Sequence, residues 1–314
     1  MTAMPRTNAL APLARPVPRI SVLGRLVESR LAAYADGRQV AYCDLGDSRG
    51  ACALFYFHSG GSSRLEATLG HEAAVARGIR LVCLDRPGAG RSTPLALRTF
   101  SDPAHDVANV AGLLGIHRYV VAGFSAGAPH ALAAVLAAPE RVVGAIVVNT
   151  TGDRFHPAWR RQPLATRAMF ALMLRERVWK FVWKQTLSRV RRQAAAGDAM
   201  AGALATFLIE GARQGSQATD HEVDLCYRAP WGLPLSMLAR PVLALHGKRD
   251  PNLPFALALQ AFAPSWRTQI VPGGHMDGAS AQNWERICDA AQRFNLLDLS
   301  ARASGEQSTT EARQ

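Results

Sequence analysis

Cysteine and long apolar runs are both scarce in this sequence of 314 residues. The five cysteines are widely scattered, are odd in number, and form no Cys-x-x-Cys pair, which argues against a disulfide framework and against a zinc site. No apolar run approaches the ~20 residues of a membrane-spanning helix. Apolar residues make up 48% of the chain and charged residues 19%, which is ordinary for a soluble enzyme with a large core.

Acidic residues are absent from the first 27 positions, which carry arginines and prolines instead. This segment also lacks the continuous apolar core and the small-residue cleavage site of a signal peptide. We therefore expect residues 1–27 to form a disordered leader on a cytoplasmic protein. The polar composition of residues 300–314 predicts a disordered tail in the same way.

Acidic residues are also scarce between positions 151 and 192, where eleven Lys or Arg residues and two acids give a net charge of +9, out of +12 for the whole chain. Two functional hypotheses follow, namely recruitment of an anionic substrate or contact with an anionic membrane surface. The plainer interpretation is a solvated helix face whose interleaved aromatic residues pack inward. Nucleic-acid binding is disfavoured because no recognition motif accompanies the charge.

Strand and helix patterns alternate along most of the chain, after a predicted β-hairpin near residues 31–44. This alternation predicts an α/β fold with a mostly parallel, eight-stranded sheet that is covered by helices on both faces. From residue 151 to residue 238 the alternation stops and only helical patterns occur. We expect this segment to be a helical cap domain, inserted into a core made of residues 28–150 and 239–299.

The most specific motif is Gly123-Phe124-Ser125-Ala126-Gly127, which follows an apolar run and precedes an alanine-rich helical pattern. In this strand–turn–helix context, the motif predicts a nucleophile elbow. Gly123 and Gly127 would leave the room that a sharp turn needs, because neither has a side chain. Ser125 would then project its hydroxyl from the turn, near the positive end of the following helix.

An acid and a base follow Ser125 along the chain, since Asp250 and His275 each come just after a predicted strand. The carboxyl ends of parallel strands form the edge where open α/β sheets bind ligands. A serine hydroxyl is a poor nucleophile unless a base removes its proton and a carboxylate orients that base. We therefore predict a catalytic triad of Ser125, His275 and Asp250. Asp153, which follows the sixth predicted strand, is a rival for the acid.

With these motifs and with the loops at residues 57–62 and 85–92, the chain resembles the α/β-hydrolase superfamily, in its capped serine hydrolase branch. The resemblance extends from about residue 30 to residue 299. It implies an oxyanion hole formed by the backbone N–H of Ala126 and by that of either Gly60 or Gly61. The predicted chemistry needs neither a metal ion nor an organic cofactor.

The predicted activity is hydrolysis of an ester, thioester, lactone or activated amide through an acyl-enzyme on Ser125, with a small neutral or anionic acyl substrate. The basic cap disfavours amine-bearing substrates of the kind that proline iminopeptidases use. Other triad chemistries stay open, namely acyl transfer, C–C bond hydrolysis and cofactor-free peroxidation. A ligand-binding receptor with little turnover is a further alternative, and a homodimer is also left open.

Overall fold

The computed structural model describes residues 11–13, 17–95 and 99–311, and these residues form an α/β structure. The strands are, in chain order, β1 (Ala11–Leu13), β2 (Ile20–Val22), β3 (Arg25–Val27), β4 (Arg30–Ala33), β5 (Gln39–Gly46), β6 (Cys52–Phe57), β7 (Ile79–Leu84), β8 (Tyr119–Phe124), β9 (Val142–Val148), β10 (Val242–Gly247) and β11 (Trp266–Val271). One large sheet has the strand order β1-β4-β5-β7-β6-β8-β9-β10-β11. The predicted fold class is thus confirmed.

The large sheet is parallel from β7 to β11 and antiparallel from β1 to β7. Because the parallel strands end at one edge, the loops that follow β6, β8, β9, β10 and β11 come together there. Every residue of β8 and β9 is buried, as expected for central strands that are covered on both faces. These two strands form the rigid support of that edge.

Helices cover both faces of the sheet. The α-helices are, in chain order, α1 (His71–Val75), α2 (Ser101–Leu113), α3 (Gly127–Ala137), α4 (Leu164–Met173), α5 (Glu176–Ala195), α6 (Ala199–Gly211), α7 (Gln217–Val223), α8 (Leu253–Leu259) and α9 (Ala281–Glu311). Helices α2, α3 and α8 pack into the apolar cluster on one face, whereas α1 and α9 pack into the cluster on the other face. Short helical turns lie at Arg64–Gly70, Pro157–Arg161, Asp224–Arg228, Leu235–Met237 and Met276–Ala279.

The predicted disordered leader is wrong for the part that the structure describes. β2 and β3 form a hairpin, and β1 pairs with β4, so that the large sheet has nine strands instead of the expected eight. The hairpin is held because Val22 and Val27 are each only 1% exposed and pack into the core. Its turn uses a left-handed conformation at Leu23 and Gly24, which suits a tight hairpin. Residues 1–10 and 14–16 lie outside the described residues.

The predicted disordered tail is also wrong for the described residues, because α9 continues to Glu311. Trp284 and Ile287 anchor the beginning of α9 in the core, and no proline follows them to end the helix. The hydroxyls of Ser300 and Ser304 donate hydrogen bonds to the carbonyls four residues earlier, so these polar side chains are compatible with the helix. Residues 312–314 lie outside the described residues.

Between β9 and β10, residues 151–238 contain α4 to α7 and short helical turns, in a segment that is described throughout. We call this segment the insert. Its helices differ in burial, because α4 has no buried residue and α5 has one, whereas α6 has seven. Within the described residues, no helix has both the length and the apolar character that crossing a membrane requires.

Candidate active site

Ser125 lies in the sharp turn between β8 and α3 and has a left-handed backbone conformation, with φ +54°. This φ is uncommon for a residue with a side chain, and such strain occurs preferentially at functional sites. A Cβ at Gly123 would lie 2.3 Å from the carbonyl oxygen of Gly127, and a Cβ at Gly127 would lie 2.1 Å from that of Phe57. Both positions therefore require glycine, for the steric reason that the motif suggested.

Three side chains from three strand ends form one hydrogen-bonded chain. The hydroxyl of Ser125 donates to Nε2 of His275 over 2.8 Å, and Nδ1–H of His275 donates to Oδ2 of Asp250 over 2.8 Å. These roles require the neutral tautomer with its proton on Nδ1. The ring of Phe124 lies 5.6 Å from the ring of His275 and flanks it. The structure thus brings together the three residues that the sequence predicted.

The three members of this chain differ in their exposure to solvent. The side chain of Asp250 is fully buried at 0% exposure, whereas that of His275 is 29% exposed and Ser125 is half-buried. The second carboxylate oxygen of Asp250 accepts the backbone N–H of Asn252 over 2.7 Å. The acid is therefore fixed and shielded, while the serine and the imidazole can meet a substrate and water.

Asp153, the rival acid, forms hydrogen bonds with groups other than His275. Its carboxylate accepts the backbone N–H groups of Phe155, over 2.9 Å, and of Trp231, over 3.2 Å. Among the residues that the structure describes, the hydrogen-bond partners of Asp153 do not include His275. Asp250 alone of the two acids is in place to orient the imidazole.

Asn149, which no sequence motif indicated, connects the loops that carry the acid and the base. Its side-chain amide donates to the carbonyls of His275, over 2.7 Å, and Gly274, over 3.0 Å, and its carbonyl accepts the N–H of Gly247 over 2.8 Å. Asn149 is buried and has φ +42°, a conformation that asparagine tolerates better than most residues. The available signal was a polar residue directly after an apolar strand, at the same sheet edge as Asp250.

The loop after β6 brings Gly60 next to Ala126. A Cβ at Gly60 would lie 3.4 Å from the Cβ of Ala126. Neither the N–H of Gly60 nor that of Ala126 has an acceptor among the described residues, whereas the N–H of Gly61 donates to Oε2 of Glu222 over 3.1 Å. Of the two glycines that the sequence left open, Gly60 is therefore the one whose N–H is free to bind a ligand oxygen.

Glu222, in α7 of the insert, links this loop to a buried arginine. It forms an ion pair with Arg86, and both residues are buried. Arg86 in turn donates to the carbonyls of His58, over 2.6 Å, and Ser59, over 3.0 Å. Burial raises the pKa of Glu222, and the nearby Arg86 opposes this effect. The loop before Gly60 is thus held by a charged pair that sequence patterns alone did not reveal.

A second buried ion network joins the insert to the core. Arg64, which is fully buried, pairs with Asp85 of the core and with Glu210 of α6, the latter over 2.9 Å. Glu210 also accepts from Arg91 over 2.8 Å. Helices α6 and α7 therefore each place one buried carboxylate against a core arginine, and these two contacts fix the inner part of the insert.

No group of three His, Cys, Asp or Glu side chains in the described part of the chain is arranged to hold a metal ion. Two acids that lie close together in the insert, Glu222 and Asp224, instead form ion pairs with Arg86 and Arg228, respectively. All five cysteines are free and buried.

Comparison with known proteins identifies the fold family. The model of the alpha/beta hydrolase family matches residues 52–290, and the chain belongs to this family. No curated protein matches the chain by sequence.

Solved structures of similar fold include a hydrolase from Pseudomonas aeruginosa, with 20% identity, a TM-score of 0.59, and coverage of 84% of this chain and 97% of that one. A thermophilic esterase from Thermogutta terrifontis has 19% identity and a TM-score of 0.60, with coverage of 83% and 94%. An enol-lactonase from Burkholderia xenovorans has 16% identity and a TM-score of 0.58, with coverage of 82% and 96%. At these identities the similarity shows the fold and not the substrate.

Proposed function

We propose that this alpha/beta hydrolase is a serine hydrolase that cleaves an ester-type bond through an acyl-enzyme on Ser125. The observation that carries the proposal is the hydrogen-bonded chain from Ser125 through His275 to Asp250, with both links at 2.8 Å. The left-handed conformation of Ser125 supports it, because the strained turn presents the hydroxyl at the sheet edge. In this proposal the three residues form a catalytic triad.

The proposed first half-reaction forms the acyl-enzyme. Nε2 of His275 accepts the proton of Ser125 while the oxygen attacks the substrate carbonyl, and Asp250 stabilises the resulting imidazolium. The N–H groups of Ala126 and Gly60 would hold the developing oxyanion, since both lack an acceptor among the described residues. The loss of one such donor typically lowers the rate ~10²–10³-fold. His275 then protonates the leaving group.

The second half-reaction releases the acyl group from Ser125 as a carboxylic acid. A water molecule takes the place of the leaving group. His275 accepts a proton from this water molecule while the water oxygen attacks the acyl carbonyl. The 29% exposure of the His275 side chain supports this step, because water can reach the imidazole without passing the buried Asp250. The collapse of the second tetrahedral intermediate frees Ser125 and returns the proton to it.

The proposed substrate is a small ester, thioester, lactone or activated amide that is neutral or anionic. Similar structures include an esterase and an enol-lactonase, which supports the bond type but not the identity of the substrate. The net positive charge of residues 151–192 supports the exclusion of cationic substrates, because like charges repel. In this proposal the insert acts as a cap that selects the substrate.

Intact-protein mass after treatment with a fluorophosphonate tests the proposal. We expect one adduct on the wild-type chain, none on Ser125→Ala, and strongly slowed labelling of His275→Ala, because only an activated serine reacts. Ser304→Ala, in the exposed part of α9, serves as the matched serine control and should label as the wild type does. A folded wild-type chain that forms no adduct would refute the proposed hydrolase and favour a ligand-binding receptor.

A further inference from the structure

A groove of about 640 Å³ lies between α5 and α7 in the insert, outside the Ser125–His275–Asp250 chain. Its floor is apolar and is formed by Trp179, Trp183 and Leu187, which follow one another at the spacing of one helical turn along α5. The two indole rings are stacked, with centroids 5.5 Å apart and planes inclined by 24°. A stripe of this kind on one helix face normally packs against protein, but here it lines open space.

The groove is long, because its lining residues on α5 extend from Trp179 to Ala195. At a rise of 1.5 Å per residue, this part of the helix measures about 24 Å. The apolar floor from Trp179 to Leu187 takes up about 12 Å of this length, and Arg191 and Arg192 belong to the rest, so a linear molecule with an apolar chain and a polar head group fits the groove. The shape therefore indicates an extended occupant.

The rim of the groove is positively charged. Four Lys or Arg residues and one acid, Asp220, belong to its lining. Lys180 pairs with Glu176, and Arg192 donates to the hydroxyl of Ser188. Lys184 and Arg191, in contrast, have neither an acidic partner nor a hydrogen bond among the described residues. Two exposed cations without partners beside an apolar floor match an amphiphile whose head group is an anion.

The groove touches the loop that carries Gly60 through Trp183 and Thr219. A Cβ at Gly61 would lie 2.7 Å from Cη2 of Trp183 and 3.6 Å from Cγ2 of Thr219, and both of these residues line the groove. Gly61 has φ +68°, so the residue that permits the turn is also the one that lets Trp183 approach. An occupant of the groove would therefore contact a side chain that packs directly on this loop.

We propose that the groove is a binding site for a single-chain amphiphile with an anionic head group, whose chain lies on Trp179, Trp183 and Leu187 and whose head group lies near Lys184 and Arg191. A bilayer surface is disfavoured because both indoles are half-buried in a concave lining and not at a convex tip. This inference does not depend on the chemistry of Ser125.

Titration of the Ser125→Ala protein with dodecyl phosphate, below the concentration at which it forms micelles, tests this site without turnover. Tryptophan fluorescence and calorimetry should report one bound molecule per chain. We expect dodecyl phosphate to bind at least tenfold more tightly than dodecyltrimethylammonium, which has the same chain and the opposite charge. Inorganic phosphate alone should give no signal at the same concentrations, because it cannot use the apolar floor.

Variants separate the groove from the general charge of α5. Lys184→Gln combined with Arg191→Gln should weaken dodecyl phosphate binding at least tenfold. The matched control combines Arg177→Gln with Arg189→Gln, which removes the same charge from exposed positions of α5 outside the groove lining and should change the affinity less than twofold. Circular dichroism of both variants verifies that α5 is intact.

Three results would overturn the assignment. These are equal affinity for the two amphiphiles, an unchanged affinity in the groove variant, or binding only to phosphatidylglycerol vesicles, which would place the contact on a membrane instead. Labelling of Ser125 by a fluorophosphonate is measured separately on the otherwise wild-type chain. A chain that binds dodecyl phosphate but takes no label would refute the hydrolase and leave the groove assignment standing.

Discussion

The central strands β8 and β9, of which β8 leads into Ser125, and the outer helices of the insert represent two extremes of burial in one chain. Every residue of β8 and β9 is buried, whereas α4 has no buried residue and α5 has only Val190. Phe181 of α5 is 61% exposed. We call α4 and α5 the outer insert. The contrast shows that packing strongly constrains the proposed catalytic geometry and only weakly constrains the surface that would meet a ligand.

The inner insert, α6 and α7, is intermediate between these extremes. Its contact with the core includes two buried carboxylates, Glu210 with Arg64 and Glu222 with Arg86. Buried ion pairs need accurate geometry to offset the loss of hydration, so they favour one arrangement of the insert over others. The insert is therefore fixed beside the loop of Gly60 and is held less firmly towards α4 and α5.

The largest expected effect lies at the buried strand ends. Asp250→Asn should lower kcat about 10³–10⁴-fold with little change in stability, because the amide no longer favours the productive tautomer of His275 or stabilises its charged form. Asp153→Asn should change kcat less than about threefold, since Asp153 only accepts backbone N–H groups away from His275. The hydrolysis rate of a simple aryl ester measures both variants.

This pair of variants distinguishes the two acids that the sequence left open. Circular dichroism and urea unfolding establish that both variants are folded before rates are compared. A larger loss in Asp153→Asn than in Asp250→Asn would mean that the hydrogen bond between His275 and Asp250 is not the one used in catalysis.

The next effect concerns the attachment of the inner insert. Glu222→Gln leaves Arg86 buried without a counter-charge and should lower the free energy of unfolding by about 3 kcal/mol. The matched control is Glu176→Gln, which breaks the exposed pair with Lys180 in the outer insert and should destabilise the protein much less, because solvent screens that pair. Urea unfolding followed by circular dichroism measures both.

A double variant identifies the cause of that loss. Arg86→Met combined with Glu222→Leu removes both charges and should recover part of the stability that Glu222→Gln loses, because no unpaired charge remains. If Glu222→Gln and Glu176→Gln destabilise the protein equally, the buried pair does not attach the insert.

The predicted site residues that the structure brings together share one property, namely that local patterns determine their position. The Gly-x-Ser-x-Gly turn lies between a strand and a helix, and Asp250 and His275 each follow a short segment whose pattern predicts a strand. Phe124, Gly123 and Gly127 are likewise positioned by the turn itself. Parallel strands then bring these loops to one edge without further information.

The residues that the sequence did not predict depend on distant partners. Glu222 is 136 positions from Arg86, and nothing in the local pattern of α7 indicates that one of its acids is buried. Asn149 is recognisable only once the loops of Gly247 and His275 are known to lie on either side of it. The leader and the tail were predicted from composition, which takes no account of Val22, Val27 and Trp284 as anchors.

The free energy of unfolding should also depend on pH through His246, which is buried in β10. Burial lowers the pKa of His246 to about 4, and its Nε2 accepts the N–H of Thr150 over 3.1 Å. Asp250 raises this pKa and His275 lowers it, both to a smaller extent than burial. Because the unfolded chain binds a proton below about pH 6.5 and the folded chain does not, stability falls as the pH drops from 6.5 to 4. The loss is of the order of 3 kcal/mol.

His246→Gln tests this contribution, because the glutamine amide can accept from Thr150 without titrating. We expect the free energy of unfolding of the variant to fall less steeply than that of the wild type between pH 6.5 and pH 4. His58 and His130, whose pKa values burial also lowers, remain in both proteins and keep part of the slope. Parallel curves for the variant and the wild type would show that His246 is protonated at little cost in the fold.

The smallest expected effect concerns an exposed residue of the outer insert. Phe181→Ser should change the free energy of unfolding by less than about 0.5 kcal/mol, because an exposed side chain loses little packing. Ile146→Val, in the fully buried β9, removes a single methylene group and should still cost about 1 kcal/mol. If Phe181→Ser instead costs more than Ile146→Val, and does so only at high protein concentration, the outer face of α5 is buried in a homodimer. The contrast between core and outer insert would then describe the isolated chain and not the assembly, because α5 would belong to a second, intermolecular core.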